Sequence, residues 1–129
     1  MNPRIFLAAG AVAAVLTLSV TACGSDDEPT SVALDDPVLA LGADVYQESC
    51  ASCHGADLRG TDKGPSHLSI VYEPNHHSDD SFRSAIASGA PQHHWSFGDM
   101  PPVEGLSDNE VEALIAFVRS EQQRLGFEQ

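Results

Sequence analysis

The pentapeptide Cys50-Ala51-Ser52-Cys53-His54 limits the folds open to this chain more than any other stretch. Two thiols three positions apart, followed at once by an imidazole, fit the attachment of a c-type haem. Each sulfur can add to one of the two vinyl groups on the same porphyrin edge, and the histidine is then held under the iron as its proximal ligand. Two plainer readings compete. A redox dithiol shares the C-x-x-C spacing but expects a βαβ setting, and no β-rich run flanks this one. A structural zinc site needs a full tetrahedral set of nitrogen and sulfur donors, and the remaining cysteine is Cys23. In a chain of 129 residues a covalent haem goes with one small domain built around the porphyrin.

Cys23 belongs to a different region. Arg4 is the sole charge in the first 25 residues, and Ile5 to Val20 is an unbroken run of apolar and small residues. A basic start, a short apolar run and a small-residue exit describe an export signal. The run is marginal for a spanning helix, so an uncleaved anchor is the alternative. Val20-Thr21-Ala22-Cys23 resembles the lipobox of bacterial lipoproteins, in which the cysteine is acylated and becomes the first residue after cleavage. The expected division is therefore a lipoprotein signal peptide at 1–22, a lipidated Cys23 with a disordered acidic tether to residue 36, and a folded domain at 37–129. A signal peptide with an incidental cysteine competes with the lipid reading. Gly24 to Asp36 is rich in Asp, Glu, Pro and Ser and cannot bury enough surface to offset its ordering entropy. Extended, it reaches at most about 45 Å. With Cys23 lipidated and Cys50 and Cys53 on haem, no cysteine remains for a disulfide.

The domain reads as all-α. Asp36-Pro37 supplies an N-cap and a proline at the first helical position, and Val38, Leu41, Val45 and Tyr46 recur at helical spacing up to Ser49. Gly42 on that helix suits a close helix crossing. Gly55 to Leu68 is loop, wrapped over one haem edge, with the Pro65 carbonyl a candidate acceptor for the second nitrogen of His54. A simple turn at Gly64-Pro65 is compatible with that role. A short helix from Asp79 to Ser88 starts at Ser78, stops at Gly89 and Pro91, and must pack on something large and apolar. The last helix, Asp108 to Leu125, opens with the capping box Ser107-x-x-Glu110 and a Leu106–Val111 staple, buries Val111, Leu114, Ile115 and Val118, and stops at Gly126.

An iron with one histidine needs a second axial ligand. Once the leader is gone Met100 is the sole methionine, in a loop stiffened by Pro101 and Pro102. A thioether is a weak neutral ligand, and His/Met ligation favours Fe(II) and raises the potential. Core filling is the ordinary use of a methionine, and His94 or His93 is the rival ligand. The pairs His76-His77 and His93-His94 flank the short helix. In one arrangement His94 and Trp95 stay near Met100 and bond haem propionates, leaving His76-His77 a solvated turn. In the other, the loop after Gly89 folds back and both pairs meet as ligands of a second metal such as copper or zinc.

From Asp36 to Gln129 the chain resembles the single-haem class I cytochromes c, in bacterial lipoprotein-anchored form. The resemblance rests on Gly42 and Tyr46 in the first helix, Leu114 and Phe117 in the last, Cys50-x-x-Cys53-His54, Gly64-Pro65 and Met100-Pro101. It implies a cytochrome c-like fold with three to five short helices around one covalent haem c and the terminal helices crossed. Cys50 and Cys53 would carry the haem, and His54 and Met100 would bind its iron. The implied role is single-electron transfer between redox protein partners, outside the cytoplasm and tethered to the outer face of the cytoplasmic membrane. Membership of a larger respiratory or oxidoreductase complex, a haem enzyme or gas sensor with an open distal site, and a metal-binding module using the histidine pairs are the alternatives. Unlike basic members of the family, this chain has a formal charge of −13, which becomes −14 once Arg4 leaves with the leader. Such a surface disfavours nucleic acid and anionic headgroups and favours a partner with a basic docking face. A surface kept soluble by charge is the bland alternative.

Overall fold

An aspartate and a proline set the start of the first helix. In a computed structural model describing residues 36–129, Asp36 caps helix α1 (Pro37–Ser49) by accepting a 2.8 Å bond from the Val38 amide. Helix α2 (Ala51–His54) follows at once, α3 spans Asp79–Ser88 and α4 spans Asp108–Leu125. Among the described residues there is no β-strand, only isolated bridges at Ser69–Glu128 and Ala90–Met100. The fold is all-α, as expected. The expected leader, lipidated Cys23 and tether fall on residues 1–35, outside the described residues, within which no helix is long and apolar enough to cross a membrane.

α1 and α4 cross at Gly42. A Cβ there would stand 2.6 Å from the Ala113 carbonyl carbon and 2.7 Å from Phe117 Cβ, so only glycine lets the backbones meet. Tyr46, fully buried one turn on, packs its ring 5.7 Å from that of Phe117. Leu114, Ile115 and Val118 are buried along α4 as its periodicity requires. Val38 departs from the expected stripe: it is 50 % exposed, because the first turn of α1 projects past the crossing.

Local capping explains the remaining boundaries. Ser107 and Glu110 form a complete capping box, with the Ser107 amide donating to Glu110 Oε2 at 2.8 Å and the Glu110 amide donating to Ser107 Oγ at 3.4 Å. Gly126 ends α4 at φ +78°. Ser78 precedes α3 as expected, but its hydroxyl turns to Ser81 Oγ rather than to a backbone amide. A 3-10 turn at Ile70–Tyr72, absent from the sequence expectation, leads into the segment before α3. That segment is held by Arg119 of α4, whose guanidinium donates to the carbonyls of Tyr72 (2.7 Å) and His77 (2.5 Å), pairs with Asp79 (2.8 Å) and lies 4.8 Å over the Phe82 ring.

Candidate haem site

The C-x-x-C-H stretch forms its own short helix. Cys50 occupies the N-cap position of α2 and Cys53 its third residue, so the two thiols share one helix face a turn apart. The 55–68 loop clamps this helix from outside. Tyr46 donates its hydroxyl to the Gly55 carbonyl at 2.9 Å, the Gly60 amide donates to the His54 carbonyl at 2.8 Å, and Thr61 Oγ1 donates to the Cys53 carbonyl at 2.7 Å. Gly64 must be small, since a Cβ would sit 3.0 Å from the Cys53 carbonyl oxygen.

His54 is buried at the end of this helix, with Nδ1 2.9 Å from the Pro65 carbonyl oxygen. A carbonyl only accepts, so Nδ1 carries the hydrogen and Nε2 is left with its lone pair, the form in which imidazole binds a metal. Burial pulls the His54 pKa below its usual range, partly opposed by the Pro65 bond. Burial, with the Cys53 thiol alongside, pushes Cys50 up to about 11, so Cys50 is an unreactive thiol until something acts on it.

Beside α2 lies a cavity of about 400 Å³ whose wall includes Cys50, Cys53, His54, Pro65 and Met100. Its apolar lining comes from Phe82 and Ile86 of α3 and Leu114 and Val118 of α4, which is the large apolar partner that short α3 requires. Met100 is fixed by its backbone: its amide donates to the Ala90 carbonyl at 2.9 Å and its carbonyl accepts from the Ala90 amide at 3.0 Å. Gly89, at φ +75°, makes that approach possible, because a Cβ would lie 2.5 Å from the Met100 carbonyl oxygen. The Val103 amide, past the two prolines, bonds the Ile86 carbonyl at 2.9 Å. The methionine backbone is thus anchored to the end of α3 on both sides.

Trp95 lines the same cavity and stacks on Tyr72, with centroids 5.9 Å apart and planes 16° from parallel. His94 also lines it, but its Nε2 lies 3.2 Å from His76 Nε2. The arrangement that keeps the two histidine pairs apart is therefore not the one adopted. The Ala90–Met100 bridge closes residues 90–100 into a loop, braced where the Gly98 amide donates to Gln92 Oε1 at 2.8 Å and the Gln92 amide to Asp99 Oδ1 at 2.9 Å, and the closed loop turns back toward Tyr72.

One cavity residue carried no sequence signal. His67 is buried, its ring stacks on His54 at 4.1 Å, and its Nδ1 has no hydrogen-bond partner. A single histidine in a glycine- and proline-rich loop has no spacing to mark it. Burial holds its pKa well below the usual value, with His54 and Arg119 adding to the effect. A haem fits what is present: two thiols, an imidazole with its far nitrogen engaged, a thioether and an apolar wall.

Residues 39–122 match the cytochrome c family. Cytochrome c-551 of Bacillus subtilis (strain 168) is 33% identical over 105 residues, covering 78% of this chain and 82% of that protein.

Proposed function

This chain belongs to the cytochrome c family, and on that footing we propose a single-haem carrier with His54 and Met100 as axial ligands, tethered by a lipid on Cys23 to the outer face of the cytoplasmic membrane. The family assignment makes it an electron-carrying c-type cytochrome with covalently bound haem c. The haem supplies the Fe(III)/Fe(II) couple, and the chain's work is to hold, shield and tune it.

Cys50 and Cys53 form the thioether links. His54 donates Nδ1–H to Pro65, which fixes the ring and raises its basicity as a ligand. Met100 offers a neutral thioether that favours the reduced iron, from a loop whose backbone is braced before the ligand binds. Phe82, Ile86, Leu114 and Val118 exclude water, so little solvent has to reorganise when one electron moves. Trp95 closes part of the cavity wall and shields the haem edge. The acidic surface steers a redox partner whose docking face is basic.

The observation that carries the ligation reading is that His54, with Nδ1 engaged, and Met100 line one cavity. The oxidised holoprotein is expected to show the sulfur-to-iron band at the red end of its spectrum. A high-spin spectrum without that band would point to an open distal site and to haem chemistry other than electron carriage. The tether is tested by fractionation: Cys23→Ser should release a soluble, still red protein, while the unmodified sequence sediments with membranes. Unaltered protein recovered free of membranes would contradict the anchor.

A further inference from the structure

Four exposed or half-exposed histidines meet beside the haem cavity. His76 and His77 precede α3, His93 and His94 lie in the loop that folds back after it, and the two pairs face each other. His76 Nε2 is 3.2 Å from His94 Nε2, and His77 Nε2 is 3.4 Å from His93 Nε2. Nitrogens bound at about 2.05 Å around a tetrahedral ion are about 3.3 Å from one another, so both separations suit ligands of one metal. One ligand atom each from His76, His77 and His94 falls within 4.8 Å of the others, and His93 joins this group through its contact with His77.

Hydrogen bonding fixes what two of these rings present. His77 Nδ1 lies 2.7 Å from the Val71 carbonyl oxygen, and His93 Nδ1 lies 2.7 Å from that of Pro91. Both Nδ1 atoms must therefore carry hydrogen, and in the neutral ring this leaves Nε2 as the nitrogen with a lone pair. Two lone pairs 3.4 Å apart repel unless a cation stands between them. A backbone carbonyl on the far nitrogen is also the usual outer partner of a metal-bound histidine. Arg119 bonds the His77 carbonyl and Gln92 and Asp99 brace the other loop, so the two halves are held from outside the cluster.

We propose that His76, His77, His93 and His94 form a second metal site, separate from the haem iron, for a borderline divalent ion such as Zn(II) or Cu(II). An all-imidazole set is soft enough to select these ions over Mg(II) or Ca(II). The site rests on the reading that leaves Met100, rather than His93 or His94, on the haem iron, and the net negative charge of the chain adds to its attraction for a cation.

The test is calorimetric titration of tag-free oxidised holoprotein, stripped with a chelator, with Zn(II) at neutral pH. One ion per chain, bound more tightly than micromolar, is expected. His76→Ala and His93→Ala should each weaken binding by more than about a hundredfold, since even an outer partner of a ligand is worth about 10- to 100-fold. His76 is exposed and is not part of the cavity wall, so His76→Ala should keep the parent haem spectrum, which separates loss of binding from loss of fold. Absence of binding at micromolar Zn(II) in the parent protein would overturn the site. Tight binding that survives His76→Ala would also overturn it, placing the metal elsewhere.

Discussion

The hydrogen atom that stands for a side chain at Gly42 decides how closely the first and last helices approach. A methyl group there would press on the Ala113 backbone and on Phe117 Cβ, and neither can swing aside. Gly42→Ala is expected to weaken the holoprotein by about 2–3 kcal/mol, as overpacking does, read as a lower denaturant midpoint of the haem absorbance. An unchanged midpoint would mean that the helices are not in this contact. Residues like Gly42, Cys50, Cys53 and His54 were legible because the chemistry of each needs that residue type at that spacing. The Pro65 carbonyl was legible for the same reason, as the acceptor a ligating imidazole requires. His67 was not, because its importance comes from burial against His54, which no local pattern records.

Among the elements, α1 and α4 begin at side chains that cap them, while α3 begins at Ser78 without a side-chain cap and ends at Gly89. Ser107 matters most at α4: its hydroxyl is the first cause of the lowered pKa of Glu110, and its backbone amide the second. A carboxylate lowered on folding stabilises above its unfolded pKa, and that contribution is lost as pH falls through the folded value. Ser107→Ala should move the Glu110 titration back upward in an NMR pH series. Loss of the cap itself should cost about 1 kcal/mol in denaturant. An unmoved Glu110 titration would show that the box does not persist in solution. The elements that stayed hidden lack such signals. α2 is too short to show periodicity, and the 3-10 turn at Ile70–Tyr72 is a consequence of where the loop must go. The fold-back of residues 90–100 depends on pairing Ala90 with Met100 and on the glycine that lets them approach, a tertiary closure rather than a local preference.

On the scale of the whole molecule, the cavity occupies the place a side-chain core would fill. Helices α1 and α4 pack on each other directly, whereas α3 turns Phe82 and Ile86 to the cavity wall. Haem is thus a structural partner as well as a redox centre, and a ligand bound by the native state alone stabilises it. The double variant Cys50→Ala, Cys53→Ala is expected to lack a cooperative thermal transition by circular dichroism. A sharp transition in that haem-free protein would show that the helices pack without the porphyrin.

The central claim is that His54 and Met100 hold the iron of a one-electron carrier. Spectroelectrochemical titration of the holoprotein beside Met100→His tests it most directly. Axial ligand identity is a main lever on a range of about 0.8 V in haem potentials. The parent should show a single one-electron step, and Met100→His a potential lower by on the order of 0.1 V or more with the iron still low-spin. The same potential and spectrum in both proteins would contradict it, because a residue other than Met100 would already occupy the distal position.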